Sequence, residues 1–289
     1  MQLVVTQTAD GLNLAGLLAE ATTKDTAIVH IHGMQGDFYD NMEPCFTGYA
    51  ENGISFLAGE NRGSYVTKRF KTTDGTGKVI GGAYEIFEEC VHDIKAWVDY
   101  AEAQGYRNIW LSSHSLGPAK AAYYMQQTDD RRIKGIIFLS PADNVGLVKD
   151  PIGAADHAVC YPEAKQLHDA GKGSQLLSHL LWGDKVLSAD TYLNLFSDDS
   201  ASNVFHYYDP TLSWEVVNSL KIPVIAFTGT KDDGIEPVME PGAAMELLKK
   251  QLINSPRVET SVLQGAEHSF DGFEGQIIEQ VASFITSCT

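Results

Sequence analysis

The stretch Ile109-Trp110-Leu111-Ser112-Ser113-His114-Ser115-Leu116-Gly117 decides the fold class of this 289-residue chain. It opens with a short apolar run typical of a buried strand, and a helical pattern from Leu116 to Gln127 follows directly. Ser115 stands at the turn between them, with the small residues Ser113 and Gly117 two positions away on either side. Because a serine on a sharp strand-to-helix turn exposes its hydroxyl above a sheet, Ser115 is a candidate nucleophile. The plainer interpretation is a serine that caps the helix.

Other short apolar runs alternate with helical patterns along the chain. The predicted strands are Thr26–Ile31, Ile54–Ala58, Asn108–Leu111, Ile133–Leu139, Ile222–Thr228 and Val258–Leu263. Further predicted helices are Tyr84–Gln104, Ala243–Leu252 and Ile277–Thr286, and Asp10-Gly11 predicts an N-terminal hairpin. Almost continuously apolar strands that alternate with helices predict the α/β class, with a doubly wound, mostly parallel sheet.

Residues 143–219 break this alternation. No strand pattern occurs between Leu139 and Ile222, and the gap is far longer than one crossover helix needs. The segment holds many aromatic residues: Tyr161, Trp182, Tyr192, Phe196, Phe205, Tyr207, Tyr208 and Trp214. We predict a mostly helical lid, inserted into a core of residues 1–142 and 220–289. A longer crossover that only packs on the sheet is the alternative.

Composition and charge restrict the partners. The formal net charge is −17, so nucleic acid and anionic membrane surfaces are not expected as partners. No apolar stretch is long enough for a membrane span, and the first residues lack a signal-peptide pattern. The four cysteines, Cys45, Cys90, Cys160 and Cys288, lie far apart, which predicts free thiols in a reducing compartment. A cytoplasmic location is therefore expected, and the oligomeric state is left open.

Four motifs together make the chain resemble the α/β-hydrolase family over nearly its whole length. They are His32-Gly33 after an early strand, the turn at Ser115, Gly229-Thr230-Lys231-Asp232 after a late strand, and Gly265-Ala266-Glu267-His268 near the end. The resemblance implies a catalytic triad in the chain order nucleophile, acid, histidine. Those positions are Ser115, Asp232 and His268, and Ser113 stands where the family has glycine.

The chemistry of acyl transfer explains these roles. A serine hydroxyl needs a base within hydrogen-bond reach, and that base needs an orienting partner. His268 follows a predicted strand and precedes the last predicted helix, where such a base belongs. Asp143 and Asp233 stay open as alternatives to Asp232 for the acid. His114 is interpreted as structural, because its side chain should point away from that of its neighbour Ser115.

The resemblance also implies two backbone N–H donors for a developing oxyanion, those of Met34 and Leu116. The implied reaction is hydrolysis of a carboxylic ester or lactone through an acyl-serine intermediate, with no metal and no organic cofactor. The lid aromatics suggest a small-molecule substrate with an apolar or aromatic portion. Hydrolysis of a thioester, an amide or a carbon–carbon bond, acyl transfer, and non-catalytic ligand binding are left open.

Three weaker patterns are set aside. Gly75-Thr76-Gly77-Lys78-Val79 resembles a phosphate loop, but it lacks the earlier glycine and a Ser or Thr after the lysine. His157, His168 and His179 are evenly spaced, but glycines and a proline interrupt the helix that a metal stripe would need. Lys68, Arg69, Lys71 and Lys78 form a basic island, interpreted as a solvated loop or as an attractor of acidic substrates.

Overall fold

The computed structural model describes residues 1–39, 42–150 and 152–288, and ten strands lie in these ranges. They are β1 (Gln2–Gln7), β2 (Asn13–Ala19), β3 (Thr26–Ile31), β4 (Ser55–Gly59), β5 (Lys68–Phe70), β6 (Lys78–Ile80), β7 (Asn108–His114), β8 (Ile133–Leu139), β9 (Val224–Lys231) and β10 (Val258–Glu267). Eight of them form one sheet in the spatial order β1-β2-β4-β3-β7-β8-β9-β10. β1 and β2 are antiparallel to their neighbours, and the other strands run parallel. The predicted N-terminal hairpin and parallel sheet are thus confirmed.

Helices cover both faces of the sheet. In the described ranges they are α1 (Glu43–Glu51), α2 (Cys90–Ala103), α3 (Gly117–Thr128), α4 (Asn144–Leu147), α5 (Gly153–Asp169), α6 (Ala189–Phe196), α7 (Glu215–Asn218), α8 (Pro241–Gln251) and α9 (Glu274–Cys288). α1 and α9 pack with Ile28, Phe56 and Trp110 on one face. α2, α3 and α8 pack on the other, with the adjacent residues Val29 and Leu57. Successive strand residues point to opposite faces, so burial on both sides makes the strands almost continuously apolar.

The helix predicted from Tyr84 begins later, at Cys90, after a single 3-10 turn over Phe87–Glu89. The reason is that its first residues bond to another part of the chain. The Ala83 carbonyl accepts from the Ser188 N–H at 2.8 Å, and the Phe87 N–H donates to the side chain of Asn194 at 2.7 Å. These contacts keep the segment out of the helix.

β5 and β6 form a separate hairpin that the sequence patterns did not predict. The stretch that resembles a phosphate loop lies in its turn and start of β6, where the Asp74 carboxylate accepts from the Thr76 N–H at 3.0 Å. The Gly77 N–H donates to the Thr72 hydroxyl at 2.7 Å. The turn is therefore held by its own side chains.

The segment 143–219 contains α4 to α7, and within its described residues only isolated bridges replace strands. The prediction of a mostly helical segment is therefore too strong, because α4 to α7 cover fewer than half of its residues and turns and loops make up most of the described remainder. Most of its aromatic side chains are buried among themselves and against the sheet; Phe205, for example, lies at 5.7 Å from Phe138 of β8 and stacks on Tyr207 at 6.1 Å, ring centre to ring centre.

The four cysteines are unpaired. Across the described ranges, no helix has both the length and the apolar character needed to cross a membrane.

Candidate active site

Ser115 occupies a strained turn between β7 and α3. Its φ is +61°, in the left-handed region that residues other than glycine rarely adopt. Small neighbours permit this turn: a Cβ on Gly117 would lie 2.6 Å from the Ile31 carbonyl oxygen, and one on Gly33 would lie 2.8 Å from the Ser115 Cβ. Ser113, in the usual glycine position, is fully buried. Its hydroxyl points at the Ile137 carbonyl, 3.4 Å away, so a serine side chain fits there.

A chain of hydrogen bonds joins three of the predicted site residues. The Ser115 hydroxyl lies 2.9 Å from Nε2 of His268, and Nδ1 of His268 lies 2.7 Å from Oδ1 of Asp232. An ionised carboxylate only accepts, so Nδ1 carries the proton and Nε2 is left as an acceptor. Asp232 directly follows β9 and His268 directly follows β10, so the carboxyl ends of neighbouring strands bring them together.

The Asp232 carboxylate is fully buried and accepts several hydrogen bonds. Thr228 donates to its Oδ2 at 2.9 Å, and the Gly234 N–H donates to its Oδ1 at 3.0 Å. Burial alone would raise the pKa of Asp232, but the hydrogen bonds from His268, Ser140 and Thr228 outweigh burial and lower it below its usual value. Asp232 therefore stays ionised at neutral pH and can hold His268 in one tautomer.

Ser140 is a site residue that the sequence reasoning missed. It directly follows β8 with φ +49°, and its side chain is fully buried. Its hydroxyl donates to Oδ1 of Asp232 at 3.0 Å and lies 2.9 Å from Nδ1 of His268. The available signal was a serine immediately after a strand that neighbours the Ser115 strand in the predicted sheet.

The two alternative acids have other surroundings. The Asp143 carboxylate caps α4 by accepting from the Gly146 N–H at 2.7 Å, and it accepts from the Tyr208 N–H at 2.9 Å. Asp233 is 86% exposed, and its nearest oxygen lies 4.0 Å from Nδ1 of His268. The acid that shares a short hydrogen bond with His268 is therefore Asp232.

Possible metal ligands coincide with this site. Within the described residues, Asp232, Asp233 and His268 form one group whose donor atoms lie within 4.8 Å of each other. Asp232 and His268 already use these atoms to hydrogen-bond to each other, as part of the chain that ends at Ser115. The three evenly spaced histidines have separate partners: His157 contacts the Tyr192 hydroxyl, His168 contacts Asp190 and His179 contacts Asp156. They do not converge on one point.

His114 supports the loop that carries His268. The two imidazole rings lie 4.7 Å apart, and Nε2 of His114 donates to the His268 carbonyl at 2.8 Å. Burial lowers the pKa of His114 to about 4, so its ring is neutral at pH 7. These contacts agree with the structural role expected from the sequence.

The loop after β3 contains a free backbone donor. Neither the Met34 nor the Leu116 N–H donates a hydrogen bond to any residue of the described ranges. Nδ1 of His32 donates to the Gly33 carbonyl at 2.8 Å, and burial lowers the His32 pKa to about 3, so this ring is neutral. Because a peptide unit is planar and trans, fixing the Gly33 carbonyl also fixes the opposite direction of the Met34 N–H.

A cavity of about 960 Å³ contains Ser115 and His268. Leu147, Ile152 and Trp182 of the segment 143–219 line part of its wall. Of the eight aromatic residues predicted for a lid, Trp182 alone lines the cavity. The ring of Phe196 instead packs edge-on against the Trp182 ring, with 5.8 Å between the ring centres. None of the four basic-island residues lines the cavity, and Lys68 pairs with Glu60.

The strand order and the turn at Ser115 are those of the α/β-hydrolase class of enzymes, to which this protein belongs. More particularly, a family model described as serine aminopeptidase, S33, matches residues 22–271, and the chain is a member of this Hydrolase_4 family. A comparison with curated protein sequences gives no match.

Solved structures with the same fold include several esterases and lipases. Est1E from Butyrivibrio proteoclasticus, solved with ferulic acid bound, is 19% identical with a TM-score of 0.65 over 98% of each chain. An esterase from Pyrococcus furiosus is 18% identical with a TM-score of 0.65, over 99% of this chain and 90% of that one. A monoacylglycerol lipase from Paleococcus ferrophilus is 17% identical with a TM-score of 0.63 over the full length of both chains. At these identities the likeness establishes the fold.

Proposed function

We propose that the protein hydrolyses a carboxylic ester or lactone through an acyl intermediate on Ser115. The observation that carries the proposal is the hydrogen-bond chain from the Ser115 hydroxyl through His268 to the buried Asp232, which opens into a large cavity. The fold shared with esterases and lipases supports the choice of substrate class.

In the acylation step, Nε2 of His268 takes the proton of the Ser115 hydroxyl as Oγ attacks the ester carbonyl carbon. The carbonyl oxygen becomes an oxyanion, which the unoccupied N–H groups of Met34 and Leu116 stabilise. The loss of one such donor typically costs on the order of 3 kcal/mol in the transition state. Asp232 stabilises the imidazolium, which then protonates the leaving alcohol.

In the second step, Nε2 of His268 takes a proton from a water molecule as that water attacks the acyl carbon. The carboxylic acid leaves, and the proton returns to Ser115. Every proton transfer in this cycle uses one imidazole, so the tautomer set by Asp232 matters in both steps.

The charges of the cavity support an ester rather than a polyanionic thioester such as an acyl-coenzyme A. Among its described lining residues are six carboxylates, Asp37, Asp150, Asp156, Asp184, Asp233 and Glu274, and one lysine, Lys185. Lys185 itself pairs with Asp184. A negative field of this kind repels anionic substrates, so neutral esters are favoured.

We further propose that residues 143–219 act as a lid on the core formed by residues 1–142 and 220–289. The supporting observation is that Leu147, Ile152 and Trp182 line the same cavity as Ser115. Trp182 gives this wall an aromatic surface for an apolar part of the substrate. A cytoplasmic location stays a prediction, which the unpaired cysteines support.

The test is labelling with a fluorophosphonate probe, followed by mass mapping of the adduct. We expect one adduct on Ser115, complete loss of labelling in Ser115→Ala, and hydrolysis of neutral short-chain esters by the wild type only. Ser269→Ala is the matched control, because Ser269 lines the same cavity.

Two results would contradict the proposal. Equal labelling of Ser115→Ala would mean that another serine is the nucleophile. A folded wild-type protein that is neither labelled nor active on any ester would instead indicate a ligand-binding role.

A further inference from the structure

The cavity continues past Ser115 into the space between the sheet and α1. His30, Cys45, Tyr49, Phe56 and Ser112 line this part of the cavity, which we call the inner recess. It lies on the face of the sheet that α1 and α9 cover, whereas the buried residues of the segment 143–219 belong to the core on the other face. The inner recess is therefore separate from the wall that the proposed lid provides.

The depth of the inner recess follows from strand geometry. Ser112 lies on β7, three positions before Ser115, and His30 is its register partner on β3. With a rise of roughly 3.3 Å per residue, the pair of side chains lies on the order of 10 Å from the nucleophile. A substrate held at Ser115 can therefore place one arm of about that length in the recess.

One part of the recess is polar and has unused hydrogen-bonding capacity. Nδ1 of His30 lies 3.1 Å from the Ser112 hydroxyl, and both side chains are nearly fully buried. Among the described residues, Nε2 of His30 and the hydroxyl of the buried Tyr49 have no hydrogen-bond partner. Neither atom is sealed off from the cavity, so both are available to a ligand or an ordered water.

The five side chains that define the recess carry no charge at neutral pH. Burial lowers the pKa of His30 to about 3, raises that of Cys45 to about 12 and raises that of Tyr49 well above its usual value. An anionic arm would therefore lose its hydration and meet the Glu274 carboxylate, which also raises the pKa of Cys45. An uncharged hydroxyl can both donate and accept, which suits a histidine nitrogen and a phenol.

The neighbouring part of the recess wall is aromatic. Tyr49 and Phe56 stack at 5.1 Å between ring centres, and the ring of His30 lies 5.8 Å from that of Phe56. A plain aliphatic arm would fill this space but leave the polar atoms of His30 and Tyr49 unpaired. A flat ring that carries a hydroxyl matches both parts.

We infer that the inner recess binds a phenolic arm of the ester substrate, with the phenol hydroxyl paired to His30 and Tyr49. The inference rests on the proposed ester hydrolysis, for which it names the substrate class. It assigns His30, Tyr49 and Ser112 as specificity-determining residues that take no part in the bond-breaking steps.

The first test compares methyl 4-hydroxycinnamate, methyl cinnamate and methyl butanoate as substrates. In the wild type we expect the hydroxyl to raise kcat/KM at least tenfold over the plain cinnamate. Tyr49→Phe removes only the hydroxyl, and should reduce that preference about tenfold. Cys45→Phe fills the recess, and should lower the ratio of cinnamate to butanoate turnover at least tenfold, whereas the size-matched Cys45→Ser should keep this ratio within about twofold.

The second test measures binding without catalysis, by calorimetry on Ser115→Ala with the two cinnamate esters. Tighter binding of the hydroxylated ester by tenfold, lost in the Ser115→Ala/Tyr49→Phe protein, supports the recess even if the wild type hydrolyses no ester and the proposed function fails. Equal binding of the two esters, in a protein that does hydrolyse butanoate, overturns the phenolic recess and leaves the proposed function standing.

Discussion

The hydroxyl of Ser140 lies 2.9 Å from Nδ1 of His268, on the side of the imidazole opposite to the Ser115 contact. The same hydroxyl donates to the Asp232 carboxylate, which accepts from Nδ1 of His268. Ser140 therefore contacts both side chains and helps to hold them in place. Because its φ is +49°, the backbone carries strain to bring the side chain there.

We expect Ser140→Ala to lower kcat on a short neutral ester about tenfold with little change in KM. The lost hydroxyl leaves Asp232 with one donor fewer, so the imidazole is oriented less firmly. The pH profile of kcat/KM should also shift relative to wild type, and a purely structural role would not move it. Ser202→Ala, which removes another buried serine hydroxyl, one that donates to the Leu195 carbonyl, is the control. An unaltered kcat and pH profile in Ser140→Ala would remove Ser140 from the site.

Exchanging each candidate acid for its amide distinguishes Asp232 from Asp143. Asp232→Asn keeps the size but leaves His268 in the wrong tautomer, and in a comparable triad that change costs roughly 10⁴-fold in kcat. Asp143→Asn keeps only one of the two oxygens that accept, one from the Gly146 N–H and the other from the Tyr208 N–H, so it should lower stability but change kcat by less than about threefold. The kcat values of both variants, measured by steady-state kinetics, distinguish the two acids. A larger loss of kcat in Asp143→Asn than in Asp232→Asn would make Asp143 the acid.

His32 should set the direction of the Met34 N–H through the Gly33 carbonyl. We expect His32→Ala to reduce kcat roughly 10- to 100-fold, because a misdirected oxyanion donor forfeits part of the ~3 kcal/mol that such a donor contributes. KM should change little, because the oxyanion forms only in the transition state. Ser64→Ala is the matched control, since it removes the 2.7 Å contact to Nε2 and leaves the Gly33 bond in place. Equal losses in both variants would contradict this assignment.

Gln35 connects the loop after β3 to the proposed lid. Its side-chain amide donates to the Val186 carbonyl at 2.8 Å, and its own φ is +54°. We expect Gln35→Leu to increase amide hydrogen exchange in residues 185–190 and to raise KM several-fold, because one anchor of the lid is lost. Gln127→Leu, at an exposed position on α3, should change neither. Unchanged exchange in that segment would show that the anchor contributes nothing.

Asp130 should make stability depend on pH in the acid range. Burial raises its pKa, but the Arg132 guanidinium and the Tyr124 hydroxyl more than offset this and lower the pKa to about 2. Because the folded-state pKa is below the unfolded one of about 3.9, this stabilisation is complete above pH ~4 and is lost as the pH falls toward 2.

Since Asp130 is partly solvated, we expect Asp130→Asn to lower the free energy of unfolding by only about 1 kcal/mol at pH 7, with the difference vanishing near pH 2. Urea titrations at pH 7, 4 and 2.5 measure this. Asp129→Asn is the neighbouring control, because asparagine tolerates the left-handed φ of +45° found there. A difference that persists unchanged to pH 2.5 would contradict the ion-pair explanation.

Local rules account for what could be predicted from the sequence. Alternating apolar strands and helices predicted the sheet, and small residues around Ser115 predicted its turn. The helix expected from Tyr84 starts at Cys90 because the preceding backbone bonds to Ser188 and Asn194, about a hundred residues away. No local pattern carries that information.

The sequence alone determined which residue types follow which strands, and hence that Ser115, Asp232 and His268 would stand at the same edge of a parallel sheet. Only the tertiary structure decided their partners. Ser140 meets His268 across 128 positions of chain, and Ser115 meets it across 153. The inner recess likewise joins residues of β3, β4, β7 and α1. Hydrophobic period and turn chemistry act over a few residues, whereas such contacts depend on strand order and on how helices pack, so they exist only once the chain is folded.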